Sequence, residues 1–289
     1  MTQPMDYAQI SRSISALAHR FPCLRVGSLG KSLLGKELFT LELFPNVPKT
    51  KPPLLFTGAV HGMEWITAGL LLRFAEDVCK AAGNMERGLV IAPCINPDGV
   101  DIQIHGARAA GPFQTLVMQC SGGNPSHWQA NARGVDLNHN FDAGWQTLRQ
   151  MEQEAGITGP SPTRFGGRCA ESEPESRALV EFCRRRPFAA ALALHSQGEE
   201  IYYRFGDCTP PGSVELARAM SQASGYAVAD PEGLASLGGF KDWFIQEFFR
   251  PGFTVEVGKG ENPLPLSQFD SIYQSVAPML QVLMGAGCL

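Results

Sequence analysis

Long apolar runs are missing from this chain. No stretch of its 289 residues supplies the roughly 20 consecutive apolar positions that a membrane-spanning helix needs. The opening segment, MTQPMDYAQISRSISALAHRF, has no apolar core of the signal-peptide type. Charge of one sign is not concentrated anywhere. The net charge is −4 with acids and bases interspersed, so there is no basic block for nucleic acid and no acidic tail. Closely spaced cysteines are absent too. Cys23, Cys79, Cys94, Cys120, Cys169, Cys183, Cys208 and Cys288 are scattered, with no Cys-x-x-Cys pair. They read as thiols of a reducing compartment, which makes a cytoplasmic location the expectation. Two short motifs fail on inspection. Asn124-Pro125-Ser126 has proline where a glycosylation site forbids it, and Gly30-Lys31-Ser32 lacks the glycine of a P-loop because position 25 is arginine.

What is present is apolar residues, at 44%, enough for a sizeable core. Short apolar runs alternate with segments of helical period. Tyr7, Ile10, Ile14 and Leu17 mark a first helix. Residues 24–29 and 38–44 read as strands, and Pro45 to Pro53 as a surface loop. Leu54-Leu55-Phe56, Gly88 to Pro93, Ala189 to Leu194, Gly198 to Phe205 and Gly252 to Val257 read as further strands. Helices are expected from Ile66, over 175–186, 214–224 and 240–249, and from Phe269 to Met284. Asn96-Pro97-Asp98-Gly99 is a turn signal, and residues 106–133 look like a long surface excursion. Strands alternating with helices, without repeat or linker, predict one α/β domain over residues 1–289 with a mainly parallel or mixed sheet.

Several polar residues stand at strand ends. His61 and Glu64 lie where a strand gives way to a helix, the edge at which α/β proteins bind ligands. An imidazole and a carboxylate three apart can meet one metal ion if the turn is tight, and Gly62 permits that. Nitrogen and oxygen donors suit zinc, and a third protein ligand would leave one position open. His195 ends the AAALAL run. Glu256 interrupts GFTVEV, and a buried ionised Glu is costly unless it is paired or near a metal.

With these residues in order, the chain resembles the zinc carboxypeptidase family over nearly its whole length. The resemblance implies a mixed sheet of about eight strands flanked by helices, and one zinc per chain held by His61, Glu64 and His195. It makes Asp136, in Gly-Val-Asp-Leu-Asn, the carboxylate that orients His61, and Glu256 the catalytic glutamate. Two longer phrases, HSQGEEIYY from His195 and EVGKGENPLP from Glu256, resemble bacterial γ-D-glutamyl-diamino acid peptidases. Those cut cell-wall (murein) peptides between side-chain-linked D-glutamate and meso-diaminopimelate. The implied partner is then a small murein peptide, with no nucleic acid and no membrane; oligomeric state stays open. The chain also departs from the family. Asn138-His139 stands where ordinary carboxypeptidases have the Asn-Arg that clamps a terminal carboxylate, and imidazole is no equivalent of guanidinium. Gln129 stands near the usual place of the arginine that polarises the scissile carbonyl, with Arg133 or Arg108 as substitutes. Lys241, in GGFKDW, falls at the base of the specificity pocket, where a cation would attract a carboxylate. The alternatives are a zinc carboxypeptidase of ordinary peptides, a related zinc deacylase, or an inactive binding module. The last predicts loss of a ligand or of the base, and all four residues are present.

Overall fold

Four short segments are buried at almost every position: Leu54–Thr57, Leu89–Ala92, Ala190–His195 and Gly252–Glu256. Strands apolar on both faces need cover on both sides, which places them at the centre of a parallel sheet. The computed structural model describes residues 3–44, 51–81, 85 and 87–285 and has this arrangement. In chain order the strands are β1 (Leu24–Lys31), β2 (Glu37–Leu43), β3 (Leu54–Thr57), β4 (Leu89–Ala92), β5 (Ala190–His195), β6 (Glu200–Tyr202), β7 (Ala227–Val228) and β8 (Gly252–Glu256). They form one eight-stranded mixed sheet in the order β1-β2-β4-β3-β5-β8-β6-β7. The central pairs β4/β3, β3/β5 and β5/β8 are parallel, while β1/β2, β2/β4 and β6/β8 are antiparallel.

The helices are α1 (Tyr7–Arg20), α2 (Ile66–Lys80), α3 (Pro97–His105), α4 (Gln114–Cys120), α5 (Trp145–Glu154), α6 (Pro174–Arg185), α7 (Ser213–Ser224), α8 (Phe240–Phe248) and α9 (Phe269–Gly285). Alternation along each strand sends successive side chains to opposite faces. Phe56, Ile91, Leu192 and Val255 join α1, α2, α7 and α9 in one core. Leu55, Val90, Ala191 and Ala193 join α6 and α8 in the other. Filling either face with a fully buried Leu or Phe contributes roughly 1.5–3 kcal/mol per side chain.

Most expected elements stand where the periodicity puts them, and three readings change. Asn96-Pro97-Asp98-Gly99 is the start of α3 rather than a free turn: the Asn96 side chain caps it by accepting from Gly99 N at 2.8 Å, with Pro97 in the first turn. Residues 106–133 are not a bare excursion, since Val117, Trp128, Ala130 and Ala132 close a third small core with Ile102. The expected strand over Gly198 to Phe205 shrinks to β6. The expected loop from Pro45 to Pro53 lies largely outside the described residues.

Candidate metal centre and active site

The carboxyl ends of β3, β5 and β8 lie side by side: the first leads to His61 and Glu64, the second ends in His195 and the third in Glu256. After β3 the chain turns through His61 into a 3₁₀ turn, Gly62–Glu64, that leads into α2. The turn is pressed against the start of α3. A Cβ on Gly62 would lie 2.4 Å from the Gly99 carbonyl oxygen and 2.7 Å from that of Trp128, so only glycine fits there. Gly62 N donates to Gln129 O at 2.9 Å. Thr67 Oγ1 donates to the Glu64 carbonyl at 2.8 Å and accepts from Ala59 N at 2.7 Å, which fixes the other end of the turn.

His61 Nδ1 is 2.8 Å from Glu64 Oε1 and 3.3 Å from His195 Nδ1. His195 Nδ1 is in turn 3.2 Å from Glu64 Oε2. The donor atoms of these three residues all lie within 4.8 Å of one another. His195 and Glu64 are 1% and 2% exposed, so water does not satisfy them. Glu64 Oε2 makes the 3.2 Å contact with His195 yet lacks a well-directed hydrogen bond. Two imidazole nitrogens and a carboxylate converge on one buried point, an arrangement that a shared proton or a metal cation stabilises. That donor set suits zinc, and it leaves a fourth position open.

The charges agree. Burial alone would lower the His61 pKa, but the carboxylates of Glu64 and Asp136 outweigh it and raise it well above its ordinary value. Burial would raise that of Glu64, but the charge on His61 and the close contact with His195 bring it down to about 2. Asp136, expected from the resemblance to orient His61, lies against that ring. Its Oδ1 is 3.0 Å from His61 Nε2, leaving Nδ1 for the metal, and also accepts from Asn138 N at 3.1 Å. Its Oδ2 accepts from Arg164 N at 2.8 Å. Burial opposes the charge on Asp136, but His61 and His139 hold its carboxyl far below the ordinary range.

Glu256 is the register partner of His195 on β8. Burial, and then the charge of Glu64, push its pKa well above the usual carboxylate range. The loops after the two strands are tied together: Ser196 Oγ donates to Asn262 Oδ1 at 2.8 Å, and Asn262 Nδ2 to Ser196 O at 2.6 Å.

Glu256 and the outer side of His61 open into a cavity of about 160 Å³. Asp136, Asn138, His139, Lys241 and Asp242 also line it. Larger hollows, of about 610, 650 and 320 Å³, lie elsewhere and contain none of these residues. His139 is held by its Nδ1, 2.8 Å from Glu152 Oε1 and 3.1 Å from Arg164 O, and burial lowers its pKa. Asn138 Oδ1 accepts from Phe240 N at 3.1 Å. Lys241 is buried. Its Nζ donates to Arg204 O at 2.7 Å and to Asp242 Oδ1, so its charge is met inside the protein. Arg133 and Arg108 do not line the cavity. Arg133 donates to Glu173 Oε2 at 2.9 and 3.2 Å, and Arg108 is exposed on the segment between α3 and α4. The cavity also holds residues that the sequence did not single out, chiefly Arg164 and Tyr202. Arg164 sits in a loop without periodicity. Tyr202, on β6, hydrogen-bonds to Glu200.

The comparisons with known proteins agree with this geometry. The zinc carboxypeptidase family profile matches residues 10–278. The γ-D-glutamyl-L-diamino acid endopeptidase 1 of Lysinibacillus sphaericus is 36% identical over 94% of this chain and 70% of its own. The catalytic chain of human carboxypeptidase N is 28% identical over 86% of this chain and 55% of its own. Among solved structures, bovine thrombin-activatable fibrinolysis inhibitor superposes with a TM-score of 0.77 at 21% identity, covering 98% of this chain and 96% of its own. The murein-tripeptide amidase of Escherichia coli O157 superposes with a TM-score of 0.57 at 21% identity, covering 91% and 93%. With its eight-stranded sheet and its His-Glu-His cluster at the strand ends, the chain belongs to the zinc carboxypeptidase family of metallopeptidases.

Proposed function

We propose that this metallopeptidase hydrolyses cell-wall peptides at the amide between γ-linked D-glutamate and meso-diaminopimelate. One observation carries the reading: a complete zinc-binding cluster has Glu256 one strand away, in a chain 36% identical to a γ-D-glutamyl-L-diamino acid endopeptidase. Bound at His61, Glu64 and His195, zinc would supply Lewis acidity, polarising the carbonyl and making water more acidic. Glu256 takes the proton of the attacking water as the carbon–oxygen bond forms. It returns that proton to the nitrogen as the carbon–nitrogen bond breaks. Asp136 keeps the His61 ring in the tautomer that this geometry requires.

The cavity suits such a substrate better than an ordinary peptide terminus. His139, held by Glu152, is an imidazole where a fixed guanidinium would clamp a terminal carboxylate. Lys241 and Asp242 place a positive and a negative group together at the cavity wall. Reading the amino-carboxylate at the far end of diaminopimelate through this pair requires Lys241 to exchange its contacts with Asp242 and the Arg204 carbonyl. The continuous sheet and the family match over residues 10–278 support residues 1–289 acting as one peptidase domain. Seven described cysteines are free thiols, and no described helix is long and apolar enough to cross a membrane; both support a cytoplasmic enzyme working on imported or recycled wall peptides.

A substrate panel tests the reading. A γ-D-glutamyl-diaminopimelyl peptide should be cut at that amide, and its lysyl counterpart more slowly. Release of C-terminal residues from ordinary peptides at a greater kcat/KM would overturn it.

A further inference from the structure

Among the charged side chains that line the cavity, one cation has no partner among the described residues. Asp136, Asp242 and Glu256 line it as acids, with Lys241 and Arg164 as bases. Asp136 is taken up by His61, and Lys241 by Asp242. Arg164 is left over. Its side chain is exposed at the cavity and makes no ion pair or hydrogen bond to any described residue.

Its backbone, by contrast, is tightly held. Arg164 has φ +67°, a left-handed conformation that a long side chain adopts only where its surroundings impose it. The peptide groups on either side of it are engaged. Its N–H donates to Asp136 Oδ2 at 2.8 Å, and its carbonyl accepts from His139 Nδ1 at 3.1 Å. Asp136 is the carboxylate that orients His61. One rigid set of contacts therefore sets the root of the Arg164 side chain relative to the metal cluster. A charge fixed at its base and free at its tip, beside a reaction centre, is placed to meet a ligand rather than to support the fold.

We propose that Arg164 is the receptor for a free carboxylate of the substrate. The proposal rests on the reading of the chain as a wall-peptide hydrolase. A planar guanidinium matches a carboxylate through two parallel hydrogen bonds, and none of the other cavity-lining cations is unpaired. The carboxylate comes either from the residue that donates the carbonyl or from the residue that supplies the amine. The first is the α-carboxylate that γ-linkage leaves free.

The test uses the zinc-loaded full chain and three peptides: the parent, and one carboxamide at each of the two positions. The wild type should prefer the parent over one carboxamide by about tenfold to a hundredfold in kcat/KM, as a charge-assisted pair would give. In Arg164→Met that preference should fall to within about threefold, mostly through KM, because the contact is the same before and during the reaction. Arg164→Lys should keep part of it. Arg164→Gly relieves the left-handed backbone while removing the cation, and it should match Arg164→Met if the charge is what matters. Calorimetric binding of the parent peptide to Glu256→Gln, with and without Arg164→Met, gives a readout independent of turnover. Which carboxamide loses its penalty identifies the source of the carboxylate. Preferences unchanged for both carboxamides in both variants, or equal calorimetric affinities, would overturn the proposal. A wild type that cleaves none of the three peptides would instead overturn the substrate reading, and the calorimetry would still decide on Arg164.

Discussion

His195 and Glu256 are direct partners in the register of β5 and β8, and Val257 N donates to the His195 carbonyl at 2.8 Å. His195 of the metal cluster and the proposed base, Glu256, are therefore set by one ladder of backbone bonds. Their separation does not depend on loop conformation.

Glu256→Gln should fold, bind zinc and lose nearly all turnover. The amide keeps the shape but cannot accept the proton, and a general base contributes roughly 10²–10⁴-fold. Steady-state rates alongside metal content check this. Turnover within a few-fold of wild type would remove Glu256 from the role.

Asp136→Asn tests the orienting bond to His61 Nε2. Loss of such a partner typically weakens metal binding or activity about 10–100-fold. Competition with a chelator should show weaker zinc binding in the variant at an unchanged stoichiometry. Affinity equal to wild type would mean that His61 is held by other contacts.

Away from the cavity, Glu175 makes stability depend on pH. Burial pushes its carboxyl up to about 7, although Leu33 N donates to it at 2.8 Å. The folded chain then keeps a proton that the unfolded chain releases near pH 4.3. Between about pH 4.3 and 7 the folded state binds more protons, so this group's contribution falls as pH rises, by about 1.4 kcal/mol per unit. Denaturant unfolding at pH 5 and pH 7 should show that slope relaxed in Glu175→Gln relative to wild type. Identical pH dependence in the two proteins would contradict it.

The central strands were legible because strands buried on both faces leave unbroken apolar runs in the sequence. The metal ligands were legible because each ends such a run or opens the following helix. α5 was not, since only Leu148 and Glu152 on it are buried and its other positions are polar. The core around Trp128 was hidden because most of its buried members are alanines, Ala107, Ala110, Ala130 and Ala132, which leave no apolar run. The neutralisation of Lys241 depends on the Arg204 carbonyl, 37 residues away, and on the Asp242 rotamer. No local pattern encodes either. Arg164 escaped for the same reason: its importance comes from Asp136 and His139 gripping its backbone.

The most direct measurement is zinc content by titration and mass spectrometry under native conditions, for wild type and for His61→Ala. The structure predicts one zinc per wild-type chain, bound tightly enough to survive buffer exchange, and its loss from the variant with the fold intact by circular dichroism. Stoichiometric zinc retained by His61→Ala at the wild-type affinity would contradict the assignment of His61, Glu64 and His195 as the metal site.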